Sequence, residues 1–185
     1  MTDDLFGTVE HKAGAKGMRM LPGVVGAADF AGYSNEHRIT LERDWSGTLG
    51  APFALWVGMN PSCADALVDD MTIRKEQHFT KLIGFSRMVK VNVASYRCTD
   101  PLKLPTGIEL SHPRNHASIK YLSGVARVVI MATGHPPAPL AHLATHVLQQ
   151  MRSDGRMMMC LGKTNDGWPR HPSRLGYGTK FEEFK

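Results

Sequence analysis

Four short apolar runs, each followed by a stretch of helical character, leave few folds open to this chain. The most telling is Val125-Ala126-Arg127-Val128-Val129-Ile130-Met131. It is almost wholly apolar, as a strand must be when both faces of its sheet are covered. Similar runs occur at 53–59, 88–93 and 157–161. Between them, 70–83 reads as a helix with Ile73, Phe79, Leu82 and Ile83 near one face and Asp69-Asp70 at its positive end. Further helices are predicted over 115–122 and 140–151. Four βα-type units predict an α/β fold: a three-layer αβα arrangement around a central four-stranded, mostly parallel sheet. Residues 1–30 are rich in Gly and Ala with weak periodicity and read as an N-terminal arm, partly ordered. Residues 31–185 then form a single α/β domain, with 32–46 as an edge strand or hairpin.

Composition excludes several classes of function. No apolar run approaches the roughly 20 residues needed to span a bilayer, so no membrane partner is expected. The formal charge of +5 is compatible with a polyanionic partner but does not require one. Cys63, Cys98 and Cys160 make neither a disulfide framework nor a C-x-x-C pair. They also fall short of the four thiolates an iron–sulfur cluster usually takes. Met1-Thr2-Asp3-Asp4 is acidic and lacks a signal-peptide pattern. A cytoplasmic setting, no cofactor and a monomer are the expectations.

Chemistry concentrates where the chain leaves a strand at the sheet's carboxyl edge, the rim at which open α/β sheets bind ligands. Asn60 follows the first strand in Gly58-Met59-Asn60-Pro61-Ser62. Asn92 ends the second. A loop after the fourth, from Gly162 to Arg174, carries His171 between Arg170 and Pro172. Two amides and an imidazole there, with Lys163, Arg170 and Arg174 nearby, suit a planar heterocycle and an adjacent phosphate. Each residue alone has a plainer reading: strand-end turn, satisfied backbone neighbour, solvated charge.

Gly58-Met59-Asn60-Pro61-Ser62 resembles the first motif of the uracil-DNA glycosylase superfamily, above all its mismatch-specific thymine/uracil branch. Val89-Lys90-Val91-Asn92-Val93-Ala94-Ser95-Tyr96-Arg97 resembles that superfamily's second-strand segment, and His171-Pro172-Ser173 its last-loop motif. The chain also resembles a bacterial and phage family catalogued as DUF1643. The marks of that family are Leu41-x-Arg43-x-Trp45, Asn60-Pro61-Ser62-x-Ala64-Asp65, Asp70-x-Thr72 and Pro169-Arg170-His171-Pro172.

The first resemblance implies a uracil-DNA glycosylase-like fold and a monofunctional DNA N-glycosylase. Its substrate is a duplex with a flipped base, and its product an abasic site. Asn60 and His171 are the implied catalytic residues, one orienting water and the other stabilising the leaving base. Gly58, Met59, Pro61, Ser62, Asn92 and Tyr96 would bind the base. Lys163, Arg170, Ser173, Arg174 and Leu175 would contact DNA, with Arg174 or Leu175 filling the vacated stack. No metal is implied.

Uracil-specific members carry a tyrosine after the proline, where this chain has Ser62. The small side chain leaves room at C5 of the base. The implied substrate is therefore a 5-substituted pyrimidine such as a hypermodified base of phage DNA, and the implied setting is defence against phages. The stacking aromatic usually found soon after the first motif is not evident; Met71 stands near that place and Phe79 reads as core. Two other functions fit the same residues: a non-catalytic reader of a modified base, and an enzyme of modified-nucleotide or phage base-hypermodification metabolism. His142-x-x-x-His146 with His135 invites a zinc reading, but helix-surface histidines explain it more simply, as they do His112 and His116. Asp65, Asp69 and Asp70 suit capping and structural roles, and Met157–Met159 a buried strand.

Overall fold

The computed structural model describes residues 8–10, 16–100 and 103–185. The chain is mixed α/β. The runs at 53–59, 88–93, 125–131 and 157–161 form β5 (Ala54–Gly58), β7 (Arg87–Asn92), β8 (Val128–Met131) and β9 (Met158–Cys160). Around them lie β1 (Thr8–Glu10), β2 (Lys16–Arg19), β3 (Val25–Ala31), β4 (His37–Asp44), β6 (Val68–Asp69) and β10 (Glu182–Phe184). The helices are α1 (Met71–Leu82), α2 (Pro113–Val125) and α3 (Ala141–Ser153).

The main sheet has seven strands, not four, in the order β10-β9-β8-β5-β7-β4-β3. Nor is it mostly parallel. β5 lies parallel to β7 and β8, and β8 to β9, whereas β10/β9, β4/β7 and β3/β4 are antiparallel. Of the added strands, β4 falls within the edge strand or hairpin expected at 32–46, whereas β3 and β10 are hidden by their sequence. Val25-Gly26-Ala27-Ala28 lacks alternation, and Glu182-Glu183-Phe184 is short and charged. The expected N-terminal arm is tied down from residue 16, because β2 pairs antiparallel with β6 and β3 forms an edge of the main sheet. The first residues of that arm lie outside the described residues.

Side-chain alternation along β5 divides the core. Leu55 and Val57 face α2 and α3, packing with Val89, Val91, Met131, Ile119 and Val147. Ala54 and Trp56 face α1, packing with Met88, Ile130 and Phe79. Each helix has a local cause. The Asp70 carboxylate accepts from the Ile73 N–H at 2.9 Å and caps α1; Asp70 also faces the helix's positive end. Pro113 occupies the first turn of α2, where its missing N–H does no harm. Gly155, at φ +66°, follows α3 in a left-handed conformation that side chains resist.

The acidic run after the first strand is structural. Asp65 Oδ1 accepts from the N–H groups of Leu67 and Val68. Asp69, fully buried, binds the Arg43 guanidinium at 2.7 Å. Met158 is buried, but Met157 is exposed and lies before β9, so the methionine run is only partly a core strand. Among the described residues no helix is long and apolar enough to cross a membrane.

Candidate active site

The carboxyl ends of β5, β7 and β8 open into a cleft of about 760 Å³, within the range of small-molecule sites. Ten sequence-predicted residues line it: Gly58, Met59, Asn60, Ser62, Asn92, Arg170, His171, Ser173, Arg174 and Leu175.

Asn60 follows β5. Its Nδ2 donates to the Cys98 carbonyl at 2.6 Å, which fixes the amide, and among the described residues its Oδ1 accepts no hydrogen bond. Asn92 ends β7 and is 1% exposed. Among the described residues neither its Nδ2 nor its Oδ1 has a hydrogen-bond partner. An unpaired buried polar group costs about 1–3 kcal/mol. This wall therefore holds a donor and an acceptor side by side, both unused. Gly58 makes room for them, since a Cβ there would meet Asn92 Oδ1 at 2.7 Å.

His171 is brought in by two elements, the segment after β8 and α1. The Gly134 N–H donates to the Pro169 carbonyl at 2.8 Å, and Gly134 runs so close that a Cβ on it would sit 3.3 Å from His171 Cβ. From α1, Lys75 Nζ donates to the carbonyls of Ser173 and Leu175. The Ser173 backbone N–H donates to His171 Nδ1 at 3.3 Å. In the neutral ring, accepting at Nδ1 leaves the proton on Nε2. Burial, then the Lys90 ammonium, depress the His171 pKa to about 4. The ring is thus neutral at pH 7, with Nε2–H as its donor.

Four predicted roles change. Tyr96 is outside the cleft, with its ring edge-on to His37 and lining a shallow separate hollow. Lys163 sits over the Phe184 ring beside Glu182, drawn away by β10. Pro61 is buried and accepts the Cys98 N–H through its carbonyl, so it fastens the loop and does not touch the cleft space. Leu175 is buried in the α1-side core, which removes it as a wedge for the base stack. Arg174 is exposed on the cleft wall. Ser173 Oγ lies 2.7 Å from His171 Nδ1 and so serves the imidazole. Phe79 is core and Met71 lines the cleft, half exposed.

Sequence reasoning missed Arg38, Lys90 and Thr164 in the cleft wall; Asp70, read as a cap, and His135, read as a surface histidine, line it as well. Lys90 carried a readable signal, a lone charge in the apolar run Met88-Val89-Lys90-Val91. It is buried and paired with Glu76 of α1, which is also buried. Burial raises the Glu76 pKa, with Lys90 opposing the rise. At the rim, His135 Nδ1 contacts Asp166, whose carboxylate accepts from Thr164 Oγ1 at 2.5 Å.

The model of a family described as a protein of unknown function, DUF1643, matches residues 38–173. The chain belongs to the DUF1643 family. No curated protein and no solved structure matches it. The DUF1643 match opens at Arg38 and closes at Ser173, both of which line the cleft.

Proposed function

We propose that this DUF1643 protein is a monofunctional DNA N-glycosylase that hydrolyses the glycosidic bond of a flipped, 5-substituted pyrimidine. The observation that carries the reading is the Asn92 amide, buried in the cleft wall with donor and acceptor both unpaired. A pyrimidine edge offers the complementary acceptor and donor. The motif resemblance adds to it, and the same reading takes the α/β sheet as a uracil-DNA glycosylase-like frame.

The chemistry follows from the residues. Breaking the C1′–N bond sends its electron pair to the base, so negative charge develops on the ring and its carbonyl oxygens. A neutral Nε2–H of His171 donates to such an oxygen and strengthens as charge grows. The neighbouring Lys90 ammonium favours the same anion. Asn60 Oδ1 accepts from a water and aims it at C1′; an amide is a poor base, but a dissociative reaction needs orientation more than basicity. The water's oxygen bonds to C1′ and its proton leaves to solvent or base. Ser62 leaves space for a C5 substituent. Phage DNA with modified pyrimidines is the natural substrate on this reading, and defence against such phages the setting.

Base release tests it. Duplexes carrying uracil, thymine mismatches, 5-hydroxymethyl pyrimidines and glucosylated hydroxymethylcytosine are incubated with wild type and Asn60→Ala, then cleaved with alkali. Abasic sites are expected from wild type alone, on a modified base. Binding that survives Asn60→Ala with no abasic sites on any duplex replaces the enzyme by a base reader. Excision confined to unmodified uracil removes the C5 argument.

A further inference from the structure

Two arginines of β4 are buried, and their surroundings differ. Arg43 is saturated. Its Nε meets Asp69 at 2.7 Å, and its terminal nitrogens donate to the carbonyls of Glu42, Asp65 and Val68 at 2.7–2.9 Å. Arg38 is 1% exposed and lines the cleft. Its Nη1 donates to the Ala64 carbonyl at 2.7 Å. Among the described residues its Nε has no partner, and no carboxylate forms an ion pair with it.

Two carboxylates reach Arg38 only through their fields. Glu76 is held by Lys90, and Asp70 Oδ1 is engaged in capping α1. The positive charges of Arg97 and Arg43 act against it. Burial lowers the Arg38 pKa to about 10, which leaves it charged at neutral pH. A buried cation without a counter-ion is costly to keep. A guanidinium is also the side chain whose planar donors best match a carboxylate or phosphate. The other two buried cations among the described residues, Arg43 and Lys90, each have a carboxylate partner.

We propose that Arg38 forms an oxyanion-binding subsite in the buried wall of the cleft, taking a carboxylate or phosphate group of the ligand. On the nucleobase reading above, the anion is a charged substituent on the flipped base, since the exposed Arg170 and Arg174 already stand at the rim for backbone phosphates. The subsite deepens that reading but does not depend on it.

Isothermal titration calorimetry of the full chain at fixed ionic strength separates the possibilities. The probes are uracil against 5-carboxyuracil, thymidine against thymidine 5′-monophosphate, and inorganic phosphate. In wild type the anionic member of at least one pair should bind about tenfold tighter or more, the scale of one charge-assisted contact. Arg38→Gln should bring that ratio toward one and Arg38→Lys should keep part of it, with circular dichroism verifying that each variant folds. A gain in the first pair assigns the anion to the base, and a gain in the second to the nucleotide phosphate. Equal binding within both pairs, or a preference untouched by Arg38→Gln, overturns the subsite. If Arg38→Gln does not fold, Arg38→Lys and the wild-type ratios decide. Phosphate binding that needs Arg38, with no pyrimidine bound, keeps the subsite and sinks the nucleobase reading. Pyrimidine binding that needs Asn92 but ignores Arg38 does the reverse.

Discussion

Asn92 gives up stability that an apolar side chain of its size would keep. With donor and acceptor both unpaired in a buried wall, its replacement by leucine removes a desolvation penalty of about 1–3 kcal/mol. Asn92→Leu should melt at or above the wild-type temperature in calorimetry while losing affinity for pyrimidine ligands. A large drop in melting temperature would mean that the amide serves the fold. His171 makes a matching statement in pH. Its folded pKa of about 4 lies below the ordinary value of 6.5, so between these values the unfolded chain binds a proton that the native ring refuses. The stability associated with a neutral His171 is complete above pH 6.5 and drains away as pH falls toward 4. Urea midpoints at pH 7.5, 5.5 and 4.5 should fall more steeply for wild type than for His171→Gln. Parallel slopes would show that the ring titrates freely in the folded protein.

At the scale of elements, β7 and α1 share one buried charge pair, Lys90 with Glu76. Removing one partner leaves an uncompensated buried charge, a loss of about 3–5 kcal/mol. Glu76→Leu should lower the unfolding free energy measured in urea by that amount, and adding Lys90→Met should restore most of it. No recovery in the double variant would point to lost packing and not to charge. The same two elements measure what the sequence made legible. β7 and α1 announced themselves, one by an apolar run and the other by Ile73, Phe79 and the cap at Asp70. Asn60, Asn92 and His171 were visible because each is a polar residue just where an apolar strand or a proline-bounded loop ends. Arg38 was not, because His37-Arg38-Ile39-Thr40 reads as an ordinary edge strand. Its burial depends on tertiary neighbours, among them Phe30 of β3, Ser95 and the Ala64 carbonyl. Tyr96 and Lys163 failed for a related reason: sequence brought them near the motifs, but tertiary partners, His37 and Phe184, turned them elsewhere.

For the molecule as a whole, a formal charge of +5 and exposed arginines at the cleft rim make salt the relevant variable. Each phosphate neutralised adds about 0.9 to the slope of log affinity against log salt. Duplex binding followed by fluorescence anisotropy should weaken steeply between low and moderate salt, and Arg170→Gln should reduce the slope by about one. A flat salt response would favour a free nucleotide as ligand over DNA. The hold that Lys75 keeps on Ser173 and Leu175 has a consequence in time as well as in space. The ammonium grips carbonyls that lie 98 and 100 residues further along the chain. During synthesis the strands bearing Asn60 and Asn92 leave the ribosome long before the segment that supplies His171. The order of translation thus makes the cleft wall the last part of the sheet edge to be completed, because it closes only once residues 171–175 have been made.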